Sequence, residues 1–437
     1  MCSCDLNFLG EITIFFLFRV LFDVRKTDAS LFFCTFASRY HISKAQIRYL
    51  CNEIKLTTKY LISIMKFTIP SSLLSARLQT IGRVIVQKNT MPILDSFMFD
   101  IQGSRLVVTA GDNETVLTTA IDVSDCDSDI RFAVNARNIQ DAIKELPDQP
   151  LEFYVNNQTL EITLVYQNGQ YRIMGQSADE YPTPAGEEGE TTELHIDAQR
   201  LLHCVSRTII ATAKNNIREI MNCINFDLGE GALNVVATDG NVLSLSKALG
   251  MDEQAAGGFI LPQKPAGLIK TVLAKEQGDV CIRFGSRCAS FESESYRLQC
   301  RLAEGRFPNY RAVIPHDNPN VLTINRAALA STLRRVGVFS SETQFYKLDI
   351  GGSNITISCR DLDLALAAEE SLLCQYEGNP LSIAFPCQVL LELVNNVESE
   401  EITLRMGDRS RAVLIQPAEQ KEGEELLMLL MPLILNE

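Results

Sequence analysis

The chain contains no tryptophan and only four histidines among its 437 residues. None of the histidines lies in an HExxH motif, and none of the thirteen cysteines belongs to a CxxC pair of the kind that binds zinc. The phosphate-binding P-loop, the GxSxG nucleophile motif and the dinucleotide fingerprint are also missing. The sequence therefore names no catalytic residue, no metal ligands and no cofactor, and we expect reduced, mostly buried thiols.

Apolar runs that could enter a membrane are scarce. The stretch ITIFFLFRVLF is interrupted by Arg19, follows no basic region and precedes no cleavage site, so it fits no targeting class well. The final run, LLMLLMPLILNE, is shorter than the roughly 20 apolar residues that cross a bilayer. Chain ends usually favour polar residues, so this tail must pack against the protein or bind a partner.

What is present is the composition of a globular protein, with 46% hydrophobic and 22% charged residues. The length suggests about three domains. The formal net charge of −14 argues against a surface that is basic all round, but it permits a local basic strip.

Residues 1–64 differ from the rest, because they hold eight of the 21 phenylalanines and four of the thirteen cysteines. Regular patterning begins at Met65, in MKFTIPSSLL. We interpret 1–64 as an extension that is disordered or results from a mis-assigned start, with an N-terminal anchor as the alternative. Mass spectrometry of the native N-terminus decides between them, and a peptide covering Phe8 to Arg25 would refute a biological start at Met65.

One pattern recurs six times after Met65: alternating apolar residues, a helix-starting residue and an apolar helical stripe. The Asn, Asp or Pro at each junction is typical of a helix N-cap or first helical position. Equivalent positions are evenly spaced, since Ile69, Ile196 and Ile324 are 127 and 128 residues apart. The copies read FTIPSSLLSARL, FAVNARNIQDAI, LHIDAQRLLHCV, FILPQKPAGLIK, LTINRAALASTL and IAFPCQVLLELV.

The segments between these copies alternate like strands and keep the same phase, with Asp112, Asp239 and Asp361 at equivalent places. We therefore predict an α+β protein of three repeated units, each with two helices packed on antiparallel sheets. The predicted domains are 65–190, 191–317 and 318–437, separated by polar, turn-rich stretches. Three equal units suggest an arc or a ring, in which edge strands of neighbours pair into one continuous outer sheet and helices line the other face.

Basic residues recur along the predicted helices. Arg200, Arg207 and Lys214 are each seven residues apart, which brings them nearly into line on a helix. Such a face is usually solvated surface, but its recurrence in an acidic chain favours sequence-independent contact with a phosphate backbone. The other helices and their ends contribute Arg77, Arg83, Lys88, Arg137, Lys144, Lys264, Lys270, Lys275, Arg326, Arg334 and Arg335.

Several motifs together resemble the bacterial β sliding clamps, the processivity subunits of DNA polymerase III. They are MKFTIPSSLL, NTMPIL, VVATDGNVLSL, GRFPNYRAVIP and the ending MPLIL. The resemblance runs from Met65 to the end of the chain and does not cover 1–64. It implies a non-catalytic, cytoplasmic, nucleoid-associated protein without membrane contact, and a head-to-tail homodimer of three-domain chains that closes a ring around double-stranded DNA.

The resemblance also implies a pocket between the second and third domains. It takes short apolar peptides from the DNA polymerase III catalytic subunit, the clamp loader and other replication and repair proteins. The apolar tail borders this pocket, and alternate side chains can face core and pocket; a plain core strand is the alternative reading. The implied pocket residues are Met221, Thr238, Gly240, Asn241, Val242, Leu243, Pro308, Val313, Phe345, Ser410, Ala412, Leu430, Met431, Pro432 and Leu433.

Two further residue sets follow from the resemblance and the basic helices. At the ring seam, Val338 and Phe339 of the third domain are expected to meet Tyr171 and Ile173 of the first. The residues expected to contact DNA are Lys88, Arg137, Arg207, Lys214, Asn215, Arg218 and Lys264.

The chain departs from the family near the pocket. Asn241 and Val242 stand where many clamps have a His-Arg pair, and Ala312 replaces a common arginine. We therefore expect a less basic pocket, whose peptides rely on Leu and Phe more than on Asp.

Two other classes of function fit the sequence less well. A hydrolase would need Asp112, Asp239 and Asp361 to meet, but one aspartate per repeat places them far apart, so turn formation is favoured. A repeat scaffold that binds only proteins would leave the basic helices solvated, and retention on circular but not linear DNA would distinguish the two.

Overall fold

The computed structural model describes residues 64–434, except for 87–88, 90, 127, 183–190, 215–217, 341–344 and 362–365. The interpretation of residues 1–64 therefore lies outside the described residues, apart from Ile64. Within this described part, the structure has no helix with the length and apolar character needed to cross a membrane.

Each of the three units contributes two α-helices to the described part of the chain, and each helix directly follows a strand. The predicted α+β class with two helices per unit is confirmed. The helices are α1 (Ser71–Ile81), α2 (Ala136–Lys144), α3 (Ala198–Thr208), α4 (Gln263–Leu273), α5 (Arg326–Gly337) and α6 (Cys387–Asn395).

The described strands pair with one another in antiparallel orientation. Unit I contains β1 (Ile64–Pro70), β2 (Ser96–Gln102), β3 (Arg105–Gly111), β4 (Thr115–Asp122), β5 (Ile130–Asn135), β6 (Pro150–Asn156), β7 (Glu161–Tyr166) and β8 (Gly169–Gln176). Unit II contains β9 (Thr192–Asp197), β10 (Cys223–Gly229), β11 (Ala232–Thr238), β12 (Val242–Leu249), β13 (Gly257–Pro262), β14 (Asp279–Phe284), β15 (Cys288–Glu292) and β16 (Tyr296–Arg301). Unit III contains β17 (Asn320–Asn325), β18 (Phe345–Gly351), β19 (Asn354–Asp361), β20 (Leu366–Leu373), β21 (Gln375–Glu377), β22 (Leu381–Pro386), β23 (Glu401–Met406), β24 (Val413–Pro417) and β25 (Glu424–Leu430).

The strand-to-helix junctions use two kinds of N-cap residue, as the sequence pattern predicts. Three are Asn or Asp, whose side-chain oxygen accepts a hydrogen bond from a backbone N–H in the first turn. The other three are prolines without a side-chain hydrogen bond. The polar caps are Asn135, Asp197 and Asn325, and the proline caps are Pro70, Pro262 and Pro386.

The sheets run continuously from one unit into the next. Strand β4 of unit I pairs with β16 of unit II, and β12 of unit II pairs with β25 of unit III. The predicted pairing of edge strands is thus confirmed at both junctions within the chain. This pairing accounts for the apolar tail, because β25 lies between β12 of unit II and β24 of unit III and joins the two units.

The two ends of the chain present strands with a free side. In unit III, β20 is the outermost strand of the sheet ordered β20-β19-β18-β22. In unit I, β8 pairs with β7 from Gly169 to Met174 and with β5 only at Gly175 and Gln176. Each end can therefore accept another strand.

The repeated aspartates form turns. Asp112 accepts hydrogen bonds from the backbone N–H groups of Glu114 and Thr115, at 2.8 and 2.6 Å. Asp239 accepts from Asn241 and Val242 in the same way, at 2.8 and 2.7 Å. These bonds close equivalent hairpins and confirm the turn-forming interpretation at both positions, whereas the side chain of Asp361 lies outside the described residues.

Candidate functional site

Exposed basic side chains lie on the helices of all three units. Arg137 at the start of α2 is 89% exposed, and its one ion pair, with Asp141, spans 3.7 Å. Lys144 in α2, Lys270 in α4 and Arg334 in α5 are also exposed. Helix α6 carries no base at all. The helical layer thus offers cations to a polyanion, although unevenly around the three units.

The basic line predicted along α3 does not face solvent. Arg207 is only 8% exposed and binds Glu424 at 2.6 Å and Glu398 at 3.0 Å. Arg200 donates hydrogen bonds to the backbone oxygens of Leu249 and Gly423, at 2.6 and 2.7 Å. The prediction that Arg207 contacts DNA is therefore wrong. The seven-residue spacing does align the two arginines, but the shared line faces strands β12 and β25 rather than water.

Glu424 is the centre of this buried cluster between units II and III. Its carboxylate also accepts from His203 at 3.1 Å and pairs with Lys421 at 3.2 Å. Burial alone would raise the pKa of Glu424, but hydrogen bonds from His203 and Arg207 and the charge of Arg207 outweigh it and lower the pKa. The carboxylate is therefore held in its charged form, and it ties α3 to the C-terminal strand.

Two further bases lie at the junction between units I and II. Lys264 donates to the backbone oxygen of Val84 at 2.9 Å and to the carboxylate of Asp112. Arg77 lies over the ring of Tyr296, 4.7 Å from its centroid. Lys264 therefore holds unit II to unit I. Its expected contact with DNA is corrected to a contact between units.

The other residues predicted to contact DNA stay predictions. Arg137, Lys214 and Arg218 are exposed, the last two beside the loop that follows α3. Lys88 and Asn215 lie outside the described residues.

A second apolar cluster, separate from the main core, lies where units II and III join. We call it the junction pocket because the resemblance implies a peptide pocket at this place, and its buried residues come from strands β11, β12, β24 and β25 with the segment after β16. Val313, Met431 and Leu433, which the resemblance assigns to the rim of this pocket, are exposed. The floor residues are Val236, Leu243, Leu245, Tyr310, Leu414 and Leu429, with Phe307, Ile314, Ala412 and Leu427 packed against them.

The C-terminal segment is held along the junction pocket by backbone bonds. The N–H of Met431 donates to the oxygen of Asn241, and the N–H of Leu433 donates to the oxygen of Ala384. The neighbouring turn depends on Gly240, whose φ of +99° favours glycine. The hydroxyl of Thr238 donates to the oxygen of Val242 at 2.6 Å in the same turn.

The predicted pocket residues differ in their surroundings. Leu430 and Val242 are buried in the main core cluster, and their assignment to the pocket stays a prediction. Side chains alternate along a strand, and it is Leu429 and Leu243 that face the pocket. Pro308 and Ser410 are exposed, Met221 is half-buried just before β10, and Phe345 is half-buried at the start of β18.

The sequence comparison missed several pocket residues. Tyr310 is the most informative, because its hydroxyl donates to Asp227 at 2.7 Å while its ring joins the apolar floor. Burial, followed by the bond to Asp227, raises the pKa of Tyr310 to about 12. Arg311 pairs with the same aspartate at 3.1 Å and is the cation nearest in sequence to the rim residue Val313. The period-2 alternation of β12 was the available signal for Leu245, whereas β11 is buried on both faces and offered no such signal for Val236.

The two ends with free strands also carry exposed apolar side chains. In unit III, Val338 is 76% exposed and Phe339 follows it, just after α5. In unit I, Tyr171 and Ile173 are half-buried on β8, and Met174 beside them is exposed. Leu373, on the outer strand β20, is 81% exposed and was not predicted. Apolar groups at both ends are typical of an interaction surface.

Comparison with known proteins identifies relatives along the whole described chain. Three consecutive stretches match the N-terminal, central and C-terminal domains of the DNA polymerase III beta subunit, at residues 65–184, 195–309 and 311–431. A beta sliding clamp from Pseudomonas putida is 24% identical over 367 residues, covering 83% of this chain and 99% of that protein.

Solved structures give the same picture. A sliding clamp from Pseudomonas aeruginosa bound to griselimycin has a TM-score of 0.79 at 24% identity, covering 85% of this chain and 100% of that one. The DNA polymerase III beta subunit from Thermotoga maritima has a TM-score of 0.76 at 26% identity, with the same coverage.

Proposed function

The chain belongs to the DNA polymerase III beta subunit family, and we propose that two copies close head to tail into a ring that surrounds duplex DNA. It is a DNA sliding clamp, which confers processivity on the replicative polymerase. Such a protein stays on DNA because the two are topologically linked. It needs only weak, sequence-independent contacts, and it works in the cytoplasm with the nucleoid.

One observation supports the proposed ring most strongly. The sheets continue across both internal junctions, and a strand with a free side remains at each end of the chain. The same pairing between β20 of one copy and β8 of another would continue the sheet across the junction between copies. Val338 and Phe339 of one copy then cover Tyr171 and Ile173 of the other. Burial of these side chains supplies the apolar contact that strand pairing alone lacks.

For DNA, we assign the contacts to exposed bases on the helices. Arg137, Lys270 and Arg334 are exposed on different units, so each can present its charge to the phosphate backbone. Lys214 and Arg218 extend this set in the loop after α3. Exposed charges of this kind give attraction that salt screens readily, which suits sliding.

For proteins, we assign the junction pocket to short apolar peptides of the polymerase, the clamp loader and repair proteins. The floor offers aliphatic side chains and one tyrosine, while Val313, Met431 and Leu433 at the rim are exposed and able to repack around different peptides. Asn241 and Ala312 add no charge there, so apolar anchors should dominate the affinity.

Ring closure is tested by the mass of the protein in solution. Val338→Asp with Phe339→Asp places two charges in the seam, so we expect light scattering to give a monomer where the wild type gives a dimer. Leu73→Asp is the matched control, because Leu73 is an exposed apolar residue in the first turn of α1, away from both free strands. A dimeric double variant, or a wild type that is monomeric at micromolar concentration, would contradict the seam.

A further inference from the structure

A histidine, a cysteine and a glutamate meet on the face of unit II that points away from the core. Glu193 and His195 lie on β9, and Cys281 lies on the neighbouring β14. One ligand atom of each lies within 4.8 Å of the others, the only such cluster among the residues that the structure describes. Neither the fold nor the contacts with DNA and peptides account for it.

The strand register places these side chains together. Cys281 is directly opposite His195, and Arg283 is directly opposite Glu193. Leu194 and Ile196 alternate with them and enter the main core. All four polar residues therefore share one face, where directly opposite side chains have Cβ atoms about 5 Å apart. Cys281 is half-buried between its neighbours, whereas His195 and Glu193 are exposed and accessible to an ion.

Glu193 has one oxygen available to a cation and one that is anchored. Its Oε1 lies 2.9 Å from Nε2 of His195, and its Oε2 accepts a hydrogen bond from Nε of Arg283 at 2.8 Å. Arg283 also binds Glu292 at 3.1 Å, so two carboxylates more than balance its charge. The guanidinium therefore orients Glu193, as second partners of metal ligands do, and leaves the site net negative.

We propose that Glu193, His195 and Cys281 bind a divalent transition-metal ion of the Zn²⁺ class, with water in the fourth position. One oxygen, one imidazole nitrogen and one sulfur form a mixed set that zinc accepts and that calcium and magnesium do not. Binding forms a metal–sulfur bond and releases the thiol proton of Cys281 to solvent.

Only small movements are needed. Ligand atoms about 2.05 Å from a tetrahedral ion are roughly 3.3 Å apart, so the Nε2–Oε1 pair has to open slightly. Both side chains are exposed, and Oε1 of Glu193 can move while Oε2 stays bonded to Arg283. This inference departs from the sequence expectation of no metal. Helices α3 and α4 and strands β10 to β13 separate two of the ligands from the third, and only strand pairing brings them together.

An ion at this position would stabilise the edge of the sheet. Among the strands that the structure describes, β9 is the last of its sheet and pairs only with β14. An ion held by both strands binds the folded state and not the separated strands, so it raises the unfolding temperature by mass action. The site therefore links β9, the first strand of unit II, to β14 beside it.

The test uses the full chain, stripped of metal with a chelator and kept reduced. Zn²⁺ is titrated in competition with a chromophoric chelator, and Co²⁺ is titrated while the cobalt–thiolate absorption is recorded. We expect one tight equivalent of Zn²⁺ per chain and a cobalt–thiolate band. Cys281→Ser should abolish the band, and His195→Ala should weaken Zn²⁺ binding at least tenfold.

Matched controls are Cys288→Ser, a half-buried cysteine on β15, and His316→Ala, an exposed histidine between units II and III. Both should bind like the wild type. Thermal unfolding in the presence of chelator checks that every variant is folded, and added Zn²⁺ should raise the unfolding temperature of the wild type and the controls alone. Zn²⁺ affinity unchanged in His195→Ala, or a cobalt–thiolate band that persists in Cys281→Ser, overturns the site.

Discussion

At the scale of single residues, Arg207 and Arg137 show how burial decides what an arginine does. Arg207 compensates the charge of Glu424 inside the junction between units II and III, while Arg137 lies in water at the start of α2. Removal of one partner from a buried ion pair leaves the other charge uncompensated, which costs about 3–5 kcal/mol. Loss of an exposed arginine costs about 0.5 kcal/mol or less.

The first prediction follows from this contrast. Arg207→Ala should lower the free energy of unfolding by about 3 kcal/mol or more, and Arg137→Ala should leave it within about 0.5 kcal/mol of the wild type. Chemical denaturation of the two variants measures both values. Equal, small losses would mean that the cluster around Glu424 does not hold the junction.

The second prediction concerns pH. The pKa of Glu424 is lower in the folded protein than its ordinary value near 4.5. Its stabilising contribution is therefore complete above that ordinary value and is lost as pH falls through the lower, folded value. We expect Glu424→Gln to be less stable than the wild type at pH 7 and the difference to shrink below about pH 4.5. A difference that stays constant from pH 7 to pH 3 would contradict the lowered pKa.

At the scale of elements, strand β25 faces both the core and the junction pocket. Leu430 is in the main core and Leu429 is in the pocket floor. The third prediction is that Leu429→Ala lowers the affinity for an apolar clamp-binding peptide by about tenfold. This is the effect expected from the loss of one buried side-chain contact. Compared with Leu429→Ala, Leu430→Ala should lower the free energy of unfolding more and the peptide affinity less.

Peptide variants probe the same pocket from the other side. Because the rim lacks the basic residues common at Asn241 and Ala312, alanine in place of the peptide's Leu or Phe should cost more affinity than alanine in place of its Asp. Fluorescence anisotropy with a matched peptide series measures both. A larger loss from the acidic change would point to a cation that compensates, and Arg311 would be the first candidate.

Much of the element pattern could be predicted from sequence. The six strand-to-helix junctions begin with the predicted Asn, Asp and Pro caps, since capping is local chemistry. The orientation of α3 could not be predicted, because a seven-residue spacing gives a line but not the neighbour that the line faces. Glu424, the partner of Arg207, is 217 residues away in sequence. The contacts of Lys264 with Val84 and Asp112 were missed for the same reason.

At the scale of the whole molecule, the sheets and the apolar ends argue for closure. Two internal junctions repeat one arrangement, strand against strand, and both ends of the chain retain the means to repeat it. Closure also explains why so few exposed cations suffice, since a ring needs no strong bond to stay on DNA. Arg207 and Lys264 then stabilise the contacts between units and do not contribute to the binding of DNA.

The most direct test of this account is retention on DNA of defined topology. The protein is loaded onto nicked circular DNA by its clamp loader, the salt is raised until contacts with several phosphates dissociate, and the circle is then cut once. We predict that the protein remains on the intact circle and leaves the linear product. Equal retention on both forms, or loss from both as salt rises, would contradict a ring that encloses the duplex.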